Sequence, residues 1–162
     1  MNKKKYIIAI AIVVCVIVSV FAFFSTSKRN NINQLMNDLE KAINTHSVTN
    51  LVNLYPDFCR DDVSKHLSQE QLDRFNDNVV KKDKIDINIL KQSSLELSEA
   101  KRLQYDINKK YHSQIVLQDY QLITIEYHED FGESTLQVVK IEGEYFLYAD
   151  AYFGEPIQYF VN

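Results

Sequence analysis

The chain has 162 residues, with 18 Lys and Arg against 22 Asp and Glu, for a formal charge of −4. That balance argues against nucleic acid and against docking on anionic lipid, both of which need a basic surface. Two cysteines, three glycines and two prolines leave no disulfide framework, no glycine-rich phosphate loop and no low-complexity linker.

The first informative stretch is Tyr6–Phe24, YIIAIAIVVCVIVSVFAFF, which runs for roughly nineteen residues without a charge. A helix of that length crosses the hydrocarbon core of a bilayer. Lys3, Lys4 and Lys5 precede it, so the N-terminus is expected in the cytoplasm and the rest outside the cell membrane. Lys28 and Arg29 on the far side narrow this bias without reversing it. A secretory signal has a shorter apolar core and a small-residue cleavage site. Val20-Phe21-Ala22 is a poor site and Ser25-Thr26-Ser27 a better one, and the length of the run favours an uncleaved anchor. Cys15 stands mid-run behind the β-branched Val14, and reads as a small hydrophobe facing lipid. No acidic residue occurs before Asp38, so without Lys3, Lys4 and Lys5 the chain holds 15 basic against 22 acidic residues. The expected organisation is a cytoplasmic stub and anchor over 1–27, a tether over 28–32, and one extracytoplasmic domain over 33–162. Only Cys59 lies outside the anchor, so the domain must stand on its core.

Ile32, Leu35, Met36, Leu39, Ala42 and Ile43 fall on one helix face. Thr45-His46-Ser47 interrupts that period, and Val48, Leu51, Val52, Leu54 and Tyr55 resume it until Pro56 ends a second short helix. Phe58 to Leu67 is predicted helical. Ser68-Gln69-Glu70-Gln71 has the form of a capping box before Leu72, Phe75, Val79 and Val80. At Lys84 the period changes to two. Ile85, Ile87 and Ile89 alternate with Asp86 and Asn88, which predicts a strand, with Leu95 and Leu97 extending it. Ser98 is expected to cap a helix on which Ala100, Leu103, Ile107 and Tyr111 share a face. From Gln114 onward the pattern is strand. Ile115, Leu117, Ile123, Ile125 and Tyr127 keep one parity, and Asp119 and Gln121 interrupt it, so a bulge is expected there. Glu129-Asp130-Phe131-Gly132 is a predicted turn, Ser134–Ile141 a strand, and Glu142-Gly143 a tight hairpin. Glu144–Phe153 is the last strand, with an aromatic tail at Tyr159-Phe160. The fold class is therefore α+β, with helices packed on an antiparallel sheet behind a membrane helix.

This order resembles the cone-shaped fold of nuclear transport factor two and its cystatin-like relatives, and most closely bacterial extracytoplasmic domains carried behind one membrane helix. The likeness rests on Leu54-Tyr55-Pro56 closing the first helical pair, Leu97-Ser98-Glu99 opening the middle helix, and Gln114–Asp119 before the long strands. It rests also on Val138-Val139-Lys140-Ile141-Glu142-Gly143-Glu144-Tyr145-Phe146 at the last hairpin, where relatives usually carry Asp-Gly followed by Lys-Trp or Lys-Tyr. It covers about 33–153 and implies a bent sheet around the first helix with a cavity at its open end. It carries over no catalytic residue.

No constellation points to catalysis. His46, His66, His112 and His128 are scattered, without cysteine or carboxylate partners at metal-ligand spacing. Asp61-Asp62 reads as the acidic first turn of a helix rather than a cation site. Cys59 beside Arg60 is a buried structural thiol or an activated one. Enzymes on the resembled fold, such as ketosteroid isomerase, place carboxylates and tyrosines in an apolar cavity. Asp119, Tyr120, Tyr127, His128, Tyr148 and Asp150 are the residues here that such a cavity would use. The site reduces to Tyr127, Tyr148, Asp119 and Asp150 as a binding surface or cavity, with no metal and no cofactor. The function read from this is a membrane-anchored, non-catalytic binding or sensing module of a bacterial envelope. Its partners are the membrane through Tyr6–Phe24 and an envelope protein, peptide or small molecule. The alternatives are a carrier or enzyme using the cavity, and a structural subunit of an envelope or secretion complex.

Overall fold

The computed structural model describes residues 28–75, 77, 84–127 and 133–148. The expected anchor Tyr6–Phe24, Val79 and Val80, the turn at 129–132, His128, Asp150 and the strand end beyond Tyr148 lie outside them. Among the described residues no helix is long and apolar enough to cross a membrane.

Helix α1 spans Ile32–Asn44, and Asn31 caps it by accepting from the amide of Gln34 at 2.9 Å. Its predicted face, Ile32, Leu35, Met36, Leu39, Ala42 and Ile43, is buried throughout. Thr45 is its C-cap, and His46 follows with φ 50, the left-handed residue that ends many helices. Ser47 caps α2, Val48–Val52, through the Asn50 amide. That helix ends three residues earlier than its apolar spacing predicts, because the turn at Asn53 delivers Leu54 and Tyr55 into the core. A 3-10 turn, Asp57–Cys59, leads into α3, Arg60–His66, with Asp61 and Asp62 in its first turn and Lys65 and His66 in its last. This charge order suits the helix dipole, and Asp62 also pairs with Lys65 at 3.0 Å. Helix α4, Gln69–Phe75, starts directly after Ser68 and buries Leu72.

The alternating segment from Lys84 is extended but not part of the sheet. Asn44 on α1 takes both polar groups of Ile85, donating from Nδ2 to its carbonyl at 3.0 Å and accepting from its amide at 2.9 Å. Glu40 accepts from the Ile87 amide at 3.2 Å. Side chains on this segment still alternate, with Ile85 buried and Asp86 exposed, so the period is right while the backbone partner is a helix. Strand β1 therefore begins later than predicted, at Asn88–Ser94. Leu97 opens a helix rather than extending the strand, and is 71 % exposed. That helix, α5, spans Leu97–Tyr111, and its N-cap is Glu96 rather than Ser98. The Glu99 side chain accepts from the Glu96 amide at 3.1 Å and fixes the earlier start.

Strands β2 (Leu117–Glu126), β3 (Glu133–Ile141) and β4 (Glu144–Leu147) follow, and the sheet runs β1-β2-β3-β4, antiparallel throughout. The ladder slips at Gln118, between Leu117 and Asp119, where interruption of the apolar face predicts a bulge. The slip has a consequence that parity alone hides. Ile123, Ile125 and Tyr127 join the main core with α1, whereas Ile115 and Leu117 pack with α5 in a second cluster around Ile107, Val139, Ile141 and Tyr148. A second slip at Leu90 leaves that side chain 48 % exposed.

The β3–β4 turn is the two-residue hairpin that the sequence predicts. Glu142 has φ 51 and Gly143 φ 82, the double positive φ that a two-residue loop needs to match strand twist. The Gly143 amide donates at 2.7 Å to the side chain of Gln118, the bulged residue. A side chain at Gly143 would meet nothing within 4 Å, so any cost of adding one is backbone strain alone. Gly143→Val is expected to destabilise by about 1–3 kcal/mol, and Glu142→Asn to stabilise by a few tenths to about 1 kcal/mol. The midpoints of urea unfolding should move in opposite directions; a shared direction would refute this turn geometry.

Candidate functional site

Arg29, inside the stretch expected as a tether, belongs to the packed domain. Arg29 is only 7 % exposed. Its Nε and Nη2 both donate to Glu144 Oε1, at 3.0 and 2.8 Å, and its Nη1 donates to the Asn53 carbonyl at 3.0 Å. Its own carbonyl accepts from the Tyr145 amide at 2.7 Å, and its Cζ lies 5.0 Å from the Phe146 ring centroid. One residue thereby ties the start of the domain to the turn after α2 and to the last strand. Arg60 works on the same turn, donating to the carbonyls of Asn53 and Tyr55 and pairing with Asp57. These guanidinium groups satisfy carbonyls at a helix C-terminus that would otherwise be left without donors.

Beside this clamp lies a cleft of about 880 Å³, within the size range of small-ligand sites. Leu54, Pro56, Phe58, Ile141 and Phe146 give it apolar surface. Charges of both signs stand around them, from Lys28, Arg29, Lys41 and Arg60 and from Asp38, Asp57, Glu142 and Glu144.

A second polar feature crosses the sheet on the face that packs against α1. Asp119, Lys140 and Tyr145 are register partners on three successive strands. Tyr145 donates to Asp119 Oδ2 at 3.2 Å, and Lys140 Nζ sits 4.8 Å from the Tyr145 ring centroid. Gln121 donates to the same carboxylate oxygen and accepts from Gln92 Nε2 at 2.6 Å. Burial, and then the Asp119 charge, push the Tyr145 phenol up from its ordinary value, so it remains a proton-bearing donor at neutral pH. Asp119, Gln121, Gln92 and Tyr145 thus form one hydrogen-bonded network, with Lys140 over the Tyr145 ring.

Of the four residues singled out from the sequence, Asp119 takes part in this network. Tyr127 is 4 % and Tyr148 2 % exposed, in the main and second clusters respectively. The expected aromatic binding surface is thus corrected: both rings are core, because odd positions beyond the β2 bulge face α1 and Tyr148 is drawn under α5. Asp150 lies outside the described residues. Tyr120 is half-buried and donates to Gln137 at 3.2 Å. His46, His66 and His112 are exposed on separate elements, and His46 and His112, both with positive φ, serve as helix ends.

Sequence reasoning missed Arg29, Glu144 and Tyr145. Arg29 reads there as a charge flanking an anchor. The available signal was the acidic Glu144 directly after the hairpin glycine, which here meets Arg29. Comparison of the chain with protein-family models, curated proteins and solved structures finds no match.

Cys59 resolves as the structural thiol. It is fully buried and donates to the Pro56 carbonyl at 3.3 Å. Burial pushes its pKa up from 9.0 to about 12 even with Arg60 nearby pulling down. In a Cys15→Ser chain, Ellman's reagent at pH 8 should react only after unfolding in urea; prompt reaction in the folded state would contradict the burial. The folded thiol keeps its proton where the unfolded one loses it. Its contribution to stability is therefore complete below about pH 9 and declines as pH rises towards 12. Arg29→Ala should cost about 3–5 kcal/mol, since it strands the part-buried Glu144 carboxylate and leaves the Asn53 carbonyl only its longer bond from Arg60. Arg29→Lys should recover only part of this, because one ammonium cannot reproduce the fork. Equal urea midpoints for the three proteins would show that the clamp contributes nothing.

Proposed function

We propose that this chain is a membrane-anchored extracytoplasmic binding or sensing module of a bacterial envelope, with the cleft beside Arg29 as its binding site. The observation that carries the reading is the cleft itself: a space of about 880 Å³ with apolar walls and charges of both signs, opening where the chain enters the domain. Two further observations support binding over chemistry. The sheet face towards α1 is filled by Leu39, Ile123, Ile125, Leu136 and Val138, each fully buried. Gln92, Gln121, Asp119 and Tyr145 on that face hydrogen-bond to one another. The finer architecture proposed with it is the bent sheet of the cone-shaped fold, held outside the cell by a helix over Tyr6–Phe24.

The Asp119–Tyr145 contact favours one alternative, a carrier or enzyme that binds polar groups along the row. The two readings separate by photocrosslinking in intact cells. A benzoylphenylalanine at Asn50, which is exposed on the cleft wall, should give a discrete adduct, and one at Tyr105, exposed on α5, should not. Asp119→Asn should leave the Asn50 adduct unchanged. Loss of the adduct in Asp119→Asn, with the adduct retained when the cleft charges are changed, as in Lys41→Gln, would move the site to the polar row. Protease added to intact spheroplasts should remove the domain, and resistance until lysis would reverse the proposed orientation.

A further inference from the structure

The charges of the cleft do not all answer one another. Arg29 pairs with Glu144 and Arg60 with Asp57. Lys28, Lys41, Asp38 and Glu142 are exposed on the same walls, and none makes an ion pair or side-chain hydrogen bond among the described residues. Two cations and two anions beside apolar residues complement a ligand that carries one charge of each sign and little net charge.

The position of the cleft selects the ligand. Lys28 lines it and stands four residues beyond Phe24. Four extended residues reach at most about 14 Å, and the headgroup layer outside the hydrocarbon is about 5–8 Å deep. With the anchor proposed above, on which this step rests, the rim of the cleft stays beside the phospholipid headgroups.

We propose that the cleft binds the headgroup of a zwitterionic phospholipid of the phosphoethanolamine kind. The phosphate answers Lys28 and Lys41, and the primary ammonium donates to Asp38 and Glu142. Two features favour this headgroup over its neighbours in a bilayer. Carboxylates use the three N–H donors of a primary ammonium. A choline, which has none, seeks an open aromatic face, and Phe146 already has Arg29 over its ring at 5.0 Å. Anionic headgroups would meet Asp38 and Glu142 without a cation of their own to offer.

The test uses the full chain in dodecyl maltoside micelles, with sn-glycero-3-phosphoethanolamine as probe and backbone amide shifts of Lys28, Lys41, Asn53 and Gly143 as readout. Saturable shifts are expected. Glycerol 3-phosphate, ethanolamine and glycerophosphocholine should each bind at least about threefold more weakly. Lys41→Gln, Asp38→Asn and Glu142→Gln should each weaken binding about threefold to fivefold, the range of exposed ion pairs, with unchanged urea midpoints. Absent shifts at the cleft, equal binding of glycerol 3-phosphate or glycerophosphocholine, or indifference to all three variants would overturn the proposal. Source is settled in nanodiscs of dioleoylphosphatidylcholine with and without dioleoylphosphatidylethanolamine. The same amides should shift only when the ethanolamine lipid is present; their silence would remove the lipid as ligand. A domain sheltered from protease in spheroplasts would sink the topology alone, since the micelle titration does not depend on it.

Discussion

The buried guanidinium of Arg29 joins three parts of the chain that lie far apart in sequence. Strand β4 is only four residues long and would be a bare sheet edge. Arg29 covers that edge by accepting from the Tyr145 amide while its side chain holds Glu144, and the Leu54 carbonyl accepts from the Leu147 amide next along. An open edge invites pairing with other chains, so the clamp both fastens the domain and closes its vulnerable side. A hydrophobic residue in place of Arg29 could fill the volume, but could not satisfy the Asn53 carbonyl and the Glu144 carboxylate together.

The opposite edge is managed differently. β1 carries Lys91 near its middle and a bulge at Leu90, both devices that discourage strand addition. The bulge at Gln118 does more than bend β2. It sends Leu117 to the α5 side of the sheet, while Asp119 keeps the α1 side with Gln121 and Ile123. The side chain released at the bulge then braces the neighbouring hairpin through Gly143. One extra residue thus divides the apolar positions of β2 between two clusters and braces the turn.

The α+β class and most of the helical core are legible in the sequence. The face of α1, the hairpin at Glu142-Gly143 and the bulge near Asp119 follow from apolar spacing, a glycine and an interrupted alternation. What stays hidden are partners set by tertiary contacts. The segment at Ile85 alternates as a strand does, yet Asn44 and Glu40 on a helix take its backbone groups. Ser98 is a good cap by type, but Glu96 and Glu99 start the helix earlier. Tyr127 and Tyr148 are tyrosines with polar tips, and only the packing of α1 and α5 decides that they lie inside. The cleft was the least legible feature of all, because its walls come from Lys28, Asp38, Pro56 and Glu142, which no sequence period brings together.

The ion pair of Arg29 with Glu144 spans 115 positions, and this separation has a bearing on the order in which the domain is completed. Contacts between distant positions form only after the entropy of closing the intervening loop has been met. The helices can assemble on local contacts, and the β2–β3 ladder can form by itself. The closing step must wait for the last strand. A chain emerging N-terminus first therefore presents Arg29 long before its carboxylate exists, and for that interval the turn at Asn53 and the future edge of the sheet stay open. Completion of the fold is a late event, tied to nearly the whole length of the polypeptide.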